Sequence, residues 1–114
     1  MKSSFFITSA PFSFEAEKAF DKVLKAILKN DICYIFFYGD GVMQGNSKIE
    51  YSTDDFNILK SWEEIALKYK INLYFCSTSV ANRGVTLSKN IHFITSGVSE
   101  FLIESINSER VEQL

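Results

Sequence analysis

From Ile32 to Phe37 the chain reads Ile32-Cys33-Tyr34-Ile35-Phe36-Phe37, with no charged residue and no alternation of apolar with polar side chains. A strand with one face in water alternates. A strand that does not alternate has to be buried on both faces, as in a parallel sheet covered by helices on either side. A second run, Ile71 to Cys76, has the same mostly apolar character. Two such strands in one chain imply right-handed crossovers through helices, because parallel strands cannot be joined by a tight hairpin.

The segments between supply those helices. Phe5-Phe6-Ile7 reads as a first strand, ended by Ser9, Ala10 and Pro11. Ser13 is placed to cap a helix, with Glu15 and Glu17 in the first turn, where the helix dipole favours negative charge. Ala16, Ala19, Phe20, Val23, Leu24, Ile27 and Leu28 follow at helical spacing and form one apolar stripe. A loop from Tyr38 to Ser52 contains Gly39, Gly41 and Gly45. Thr53 is then expected to cap a second helix, with Asp54 and Asp55 in its first turn. The stripe of that helix is Ile58, Leu59, Trp62, Ile65, Ala66 and Tyr69, so Trp62 reads as core. Past Cys76 the pattern predicts one helical turn closed by Gly84, a short strand over Ile91–Ile94 and a third helix over Val98–Ile106. Phe101, Leu102 and Ile106 are expected to face inward. Arg110 to Leu114 reads as a short edge strand. The alternation gives an α/β fold: a three-layer α/β/α sandwich around a mostly parallel five-stranded sheet.

At 114 residues the chain suits a single domain, residues 1–114. Its 46% hydrophobic and 15% aromatic content supports a core without disulfides. The net charge of −2 argues against direct binding of nucleic acid through phosphates. No apolar run approaches the roughly 18 residues of a membrane span, and the apolar start is too short for a signal peptide. A cytoplasmic protein with two reduced cysteines, Cys33 and Cys76, is therefore expected.

Functional sites in open parallel sheets gather beyond the carboxyl ends of the strands. Ser9–Ser13, Tyr38–Val42 and Cys76–Gly84 fall at that edge. Cys76 ends its strand and precedes a segment able to open a helix, a setting that favours a thiolate. Arg83 can add positive potential. The competing reading of Cys76 is a small core residue. Cys33, at the entry of its strand, reads as buried and inert. Ser9, Ser13 and Ser77–Ser79 lack a G-x-S-x-G setting and would depend on the single His92 as base. Asp40, Asp54 and Asp55 suggest a cation site only weakly. No metal or phosphate-loop motif is present, and Gly39-Asp40-Gly41 lacks the required lysine. A flavodoxin-like use of the Ser9–Ser13 turn for a phosphate is weakened by Pro11, which has no N–H.

Four stretches in order resemble the DsrE/TusD family of sulfur-relay proteins. They are Ile7-Thr8-Ser9-Ala10-Pro11, Phe36-Phe37-Tyr38-Gly39-Asp40-Gly41-Val42, Leu73-Tyr74-Phe75-Cys76 followed by Asn82-Arg83-Gly84-Val85, and Glu109-Arg110-Val111-Glu112-Gln113-Leu114. The resemblance implies a DsrE-like fold and a sulfurtransferase whose catalytic residue is Cys76. That cysteine would accept sulfane sulfur as a persulfide and pass it on for 2-thiouridine formation at the tRNA wobble position. It implies no cofactor and no metal. It implies partners too: TusB-like and TusC-like subunits in a heterohexamer, small sulfur-donor and sulfur-acceptor carrier proteins, and no membrane. Members lacking the cysteine serve as assembly subunits, which is the alternative role. The chain departs from the pattern in three places. Asn82 stands where a first arginine is common, leaving Arg83 alone to support the thiolate or persulfide. Glu109 stands where aspartate is expected, and Thr86–Ser96 is short. Tyr38 and Phe12 are the candidate interface anchors.

Overall fold

The computed structural model describes residues 2–114; the side chain of Cys33, and with it the expectation that this cysteine is buried and inert, lies outside the described residues. The strands are β1 (Ser3–Ile7), β2 (Ile32–Phe37), β3 (Leu73–Cys76), β4 (Phe93–Ser96) and β5 (Arg110–Gln113). The helices are α1 (Phe14–Leu28), α2 (Ile58–Tyr69), α3 (Ser77–Asn82) and α4 (Val98–Ser105), with a 3-10 helix over Gly39–Gly45. The sheet order is β4-β3-β2-β1-β5, and every pairing is parallel. The mostly parallel five-stranded sheet is thus fully parallel. Every strand therefore ends at the same edge.

The unbroken apolar character of β2 is explained by its central place. Ile35 and Phe37 face α1 and α2 beside Phe5, Ile7, Leu73 and Phe75, all buried. Phe37 stacks on Phe75 at 4.4 Å and meets Trp62 edge-on at 5.2 Å. On the opposite face Tyr34 and Phe36 pack with Phe6 and with Phe101 of α4. Tyr34 also stacks on Tyr74 at 4.2 Å.

Helix α1 starts where expected. Ser13 Oγ accepts from the Ala16 N–H at 3.2 Å and donates to the Ala10 carbonyl at 2.6 Å. Helix α2 does not start at Thr53. Asp55 instead accepts from the Ser52 N–H and hydroxyl, closing a turn, and Asn57 caps the helix by accepting from the Lys60 N–H at 3.0 Å. The two aspartates thus serve a turn and not a helix start, because the apolar stripe begins only at Ile58. The loop expected from Tyr38 to Ser52 contains the 3-10 helix, and the fourth strand lies two residues later than expected. In α4 only Phe101 is buried; Leu102 and Ile106 point to solvent, contrary to expectation. Phe101 and the half-buried Ser105 form the face turned to the sheet, and this places Leu102 and Ile106 on the outer side of a helix of only eight residues.

Gln44, fully buried, holds the sheet edge together. Its amide nitrogen donates to the Ser9 carbonyl at 2.8 Å, and its amide oxygen accepts from the Trp62 indole N–H at 2.8 Å. One side chain thereby joins the β1–α1 turn, the 3-10 helix and α2. Gln44→Leu leaves the indole N–H and the Ser9 carbonyl without this partner. It is expected to lower the unfolding free energy by about 1–3 kcal/mol, read from urea denaturation.

Burial raises the Tyr34 phenol above its ordinary value of 10.0, against a lowering hydrogen bond to Ser96. Tyr51 is also raised, by burial and by Asp55. The folded state thus holds these protons more tightly than the unfolded state. Their contribution to stability is full below the unfolded value and is lost as the pH climbs through the raised folded ones. Denaturation midpoints measured on the alkaline side of 10.0 should fall less steeply in Tyr34→Phe than in the parent chain.

Candidate functional site

Because all strands run the same way, the carboxyl ends of β2, β3 and β4 lie side by side, with Cys76 paired in register with Ser96. The segments leaving these strands enclose an open cavity of about 350 Å³. Tyr38 and Gly39 come from the end of β2, Thr78, Ser79, Asn82 and Arg83 from α3, and Gly97 and Val98 from the start of α4. Cys76 lines the same cavity but is only 3% exposed. It shares the sheet face of Tyr74, and so it points toward the α4 side of the molecule.

Cys76 is also the residue from which α3 begins, and no side chain caps that helix. The first N–H groups of α3 therefore lack a side-chain acceptor beside the cavity. Helix α3 spans Ser77–Asn82, longer than the single turn expected, with Arg83 as its C-cap and Gly84 following at φ +60. The buried Ser79 Oγ accepts from the Gly39 N–H at 3.0 Å, tying the β2 loop to α3. Gly39 adopts φ +58, a left-handed conformation that a side chain would strain.

Arg83 lines the cavity as expected, yet its Nε donates to Asp40 Oδ1 at 3.0 Å. Its charge is thus shared with a carboxylate and is not devoted to the thiol. Asn82 also reaches the cavity.

Of the three segments expected at this edge, two meet around Cys76. The third, Ser9–Ser13, is occupied by structure: Ser13 caps α1 and the Ser9 carbonyl accepts from Gln44. The turn proposed for a phosphate is thereby closed off. His92 precedes β4 at the opposite end of the strands and shares a hydrogen bond with Asn72 at 3.0 Å, so it cannot serve the edge serines as a base. Gly97 and Val98 are cavity residues that sequence reasoning missed. Their signal was their place directly after the fourth strand, obscured because that strand was expected to end earlier.

The chain matches the DsrE/DsrF-like family over residues 1–111. It belongs to that family. Within it, the chain is 31% identical over 93 residues to a sulfurtransferase TusD homolog of Haemophilus influenzae, covering 73% of this chain and 74% of the relative. It is 26% identical over 125 residues to a putative sulfurtransferase DsrE of Allochromatium vinosum, covering 97% and 96%. The crystal structure of the ychN protein from E. coli superimposes with a TM-score of 0.83 at 17% identity, over 100% of this chain and 99% of the other. The DsrE-like fold expected from the sequence is therefore the one the chain adopts. Among the described residues, no helix is long and apolar enough to cross a membrane.

The Arg83–Asp40 pair generates a test. Asp40→Asn releases Arg83 from its carboxylate and removes one negative charge beside the cavity. Alkylation of Cys76 by iodoacetate, an anion, should then accelerate about twofold to threefold relative to neutral iodoacetamide at low salt. Mass spectrometry of the labelled peptide gives both rates.

Proposed function

We propose that this chain is a sulfurtransferase of a sulfur relay and that Cys76 carries the sulfur as a persulfide. The observation that carries this reading is the position of Cys76. It lies at the carboxyl end of a central strand, at the start of a helix and on the wall of a cavity of about 350 Å³. Relatives named sulfurtransferase support it.

The chemistry balances without any cofactor. The Cys76 thiolate attacks the outer sulfur of a donor persulfide. A new sulfur–sulfur bond forms on Cys76, the donor's own bond breaks, and the donor cysteine leaves as a thiolate. Delivery is the same step with the roles exchanged. The cavity has room for the added atom, since a water-sized group needs only about 30 Å³. The uncapped N–H groups of α3 and the guanidinium of Arg83 are suited to a terminal persulfide anion. Near-complete burial limits attack by stray thiols.

The wider role follows the family resemblance. Small carrier proteins give and receive the sulfur, TusB-like and TusC-like subunits complete a heterohexamer in the cytoplasm, and the sulfur ends in 2-thiouridine at the tRNA wobble position. Exposed apolar residues at the site edge, Tyr38 and Val98, suit contact with protein partners. One observation favours the non-catalytic alternative: a thiol only 3% exposed is hard for a donor protein to reach.

The test is loading with radiolabelled sulfur from a cysteine desulfurase and its carrier protein. The intact chain should gain one labelled sulfur, lost again on reduction with dithiothreitol. Cys76→Ser should gain none and Cys33→Ser should load normally, with circular dichroism unchanged for both. Retention of label by Cys76→Ser, or its mapping to Cys33, would overturn the assignment.

A further inference from the structure

At the far side of the sheet from Cys76, β5 is an edge strand paired only with β1. Leu114 bonds β1 through both its backbone groups: its N–H donates to Phe6 and its carbonyl accepts from Thr8. The alternation of a parallel ladder then turns the N–H and C=O groups of Val111 and Gln113 toward the free edge. Both residues are exposed. Such an edge is a template for another strand.

Helix α1 packs over β1 and β2, and between it and the edge strand lies a groove that Lys22 crosses to reach Glu112. Two cavities, of about 440 and 590 Å³, run along it and share Lys22. The α1 wall carries Lys18, Lys22, Lys25 and Lys29, spaced four, three and four residues apart, so they form one ridge distinct from the buried stripe. Arg110 adds a fifth cation from β5. Glu112 is already shared by Lys22 at 3.5 Å and Arg110 at 3.8 Å. A chain with net charge −2 thus concentrates four lysines on one helix ridge beside an open strand edge.

We propose that this groove binds an extended acidic segment of a partner protein, which pairs along β5 as a sixth strand. Main-chain bonds to Val111 and Gln113 set the register. Alternate acidic side chains face the lysine ridge, since neighbouring strands lie only about 4.8 Å apart and a lysine stem spans that distance. A peptide fits better than a nucleic acid for two reasons. The edge offers carbonyl acceptors as well as N–H donors, and a phosphate backbone can use only the donors. Glu15, Asp31 and Glu112 also interrupt the cationic surface. The groove lies three strands from β3, so it can be filled while the Cys76 cavity stays open.

The probe is a short end-blocked peptide alternating valine and glutamate, titrated into the full chain at low salt and followed by amide NMR. Saturable binding is expected, with the largest shifts at Val111 and Gln113. Methylation of alternate peptide nitrogens should abolish it. The exposed double variant Lys25→Glu, Lys29→Glu should weaken it about tenfold or more while leaving the fold intact. Absence of saturation at millimolar peptide would overturn the proposal. So would equal binding of a valine–lysine peptide, indifference to N-methylation, or displacement by single-stranded RNA at lower concentration.

Discussion

Double burial of β2 is the constraint on which the other parts depend. Phe36 and Phe37 are adjacent, and successive strand side chains point to opposite faces, so each must find its own cover. On one side α1 and α2 provide it, with Trp62 edge-on to Phe37. On the other, Phe101 of α4 stacks on Phe36 at 5.4 Å. Fully burying a phenylalanine is worth roughly 2–3 kcal/mol, so neither face can be left open at small cost. Once both faces are covered by helices, the strands are parallel and their carboxyl ends share one edge. The Cys76 cavity is a consequence of that polarity.

The same logic explains what could be read from the residues alone. Non-alternating strands and striped helices are strong signals because burial imposes them directly. β2, β3, α1 and the position of Cys76 at its strand end were legible on these grounds. So was Ser13, because a capping hydroxyl before an apolar stripe has few other uses. Thr53, Asp54 and Asp55 misled for a related reason: cap residues and turn residues are the same residue types, chosen for the same short-range hydrogen bonds. The true cap, Asn57, was distinguishable only by its distance from Ile58.

Pairwise contacts between distant segments were not legible. Nothing local marks Gln44 as the partner of Trp62 and Ser9, since 18 and 35 residues separate them. Nor does local pattern tell that Arg83 finds Asp40, 43 residues away. The exposed side of α4 is a similar case. Its apolar residues exceed what one face can bury, and only the orientation of Phe101 against Phe6 and Phe36 decides which of them lie outward.

The Arg83–Asp40 pair bears on the one expected departure that touches the cavity, Asn82 where the resemblance leads one to expect a first arginine. A single guanidinium tied to a carboxylate looks like a loss of electrostatic support. The side chains are 35% and 69% exposed, however, and a pair so open to solvent is worth only about 0–1 kcal/mol. An anion arriving in the cavity would be less solvated than Asp40 and would compete for the same donors on better terms. The carboxylate therefore parks the arginine without holding it. Under the proposed persulfide role, the guanidinium would be kept near the mouth of the cavity before loading and free to turn inward at little cost afterwards. Under the same proposal, Arg83 is the cation in the cavity lining placed to respond to a charge on Cys76, with Asn82 beside it as a neutral neighbour.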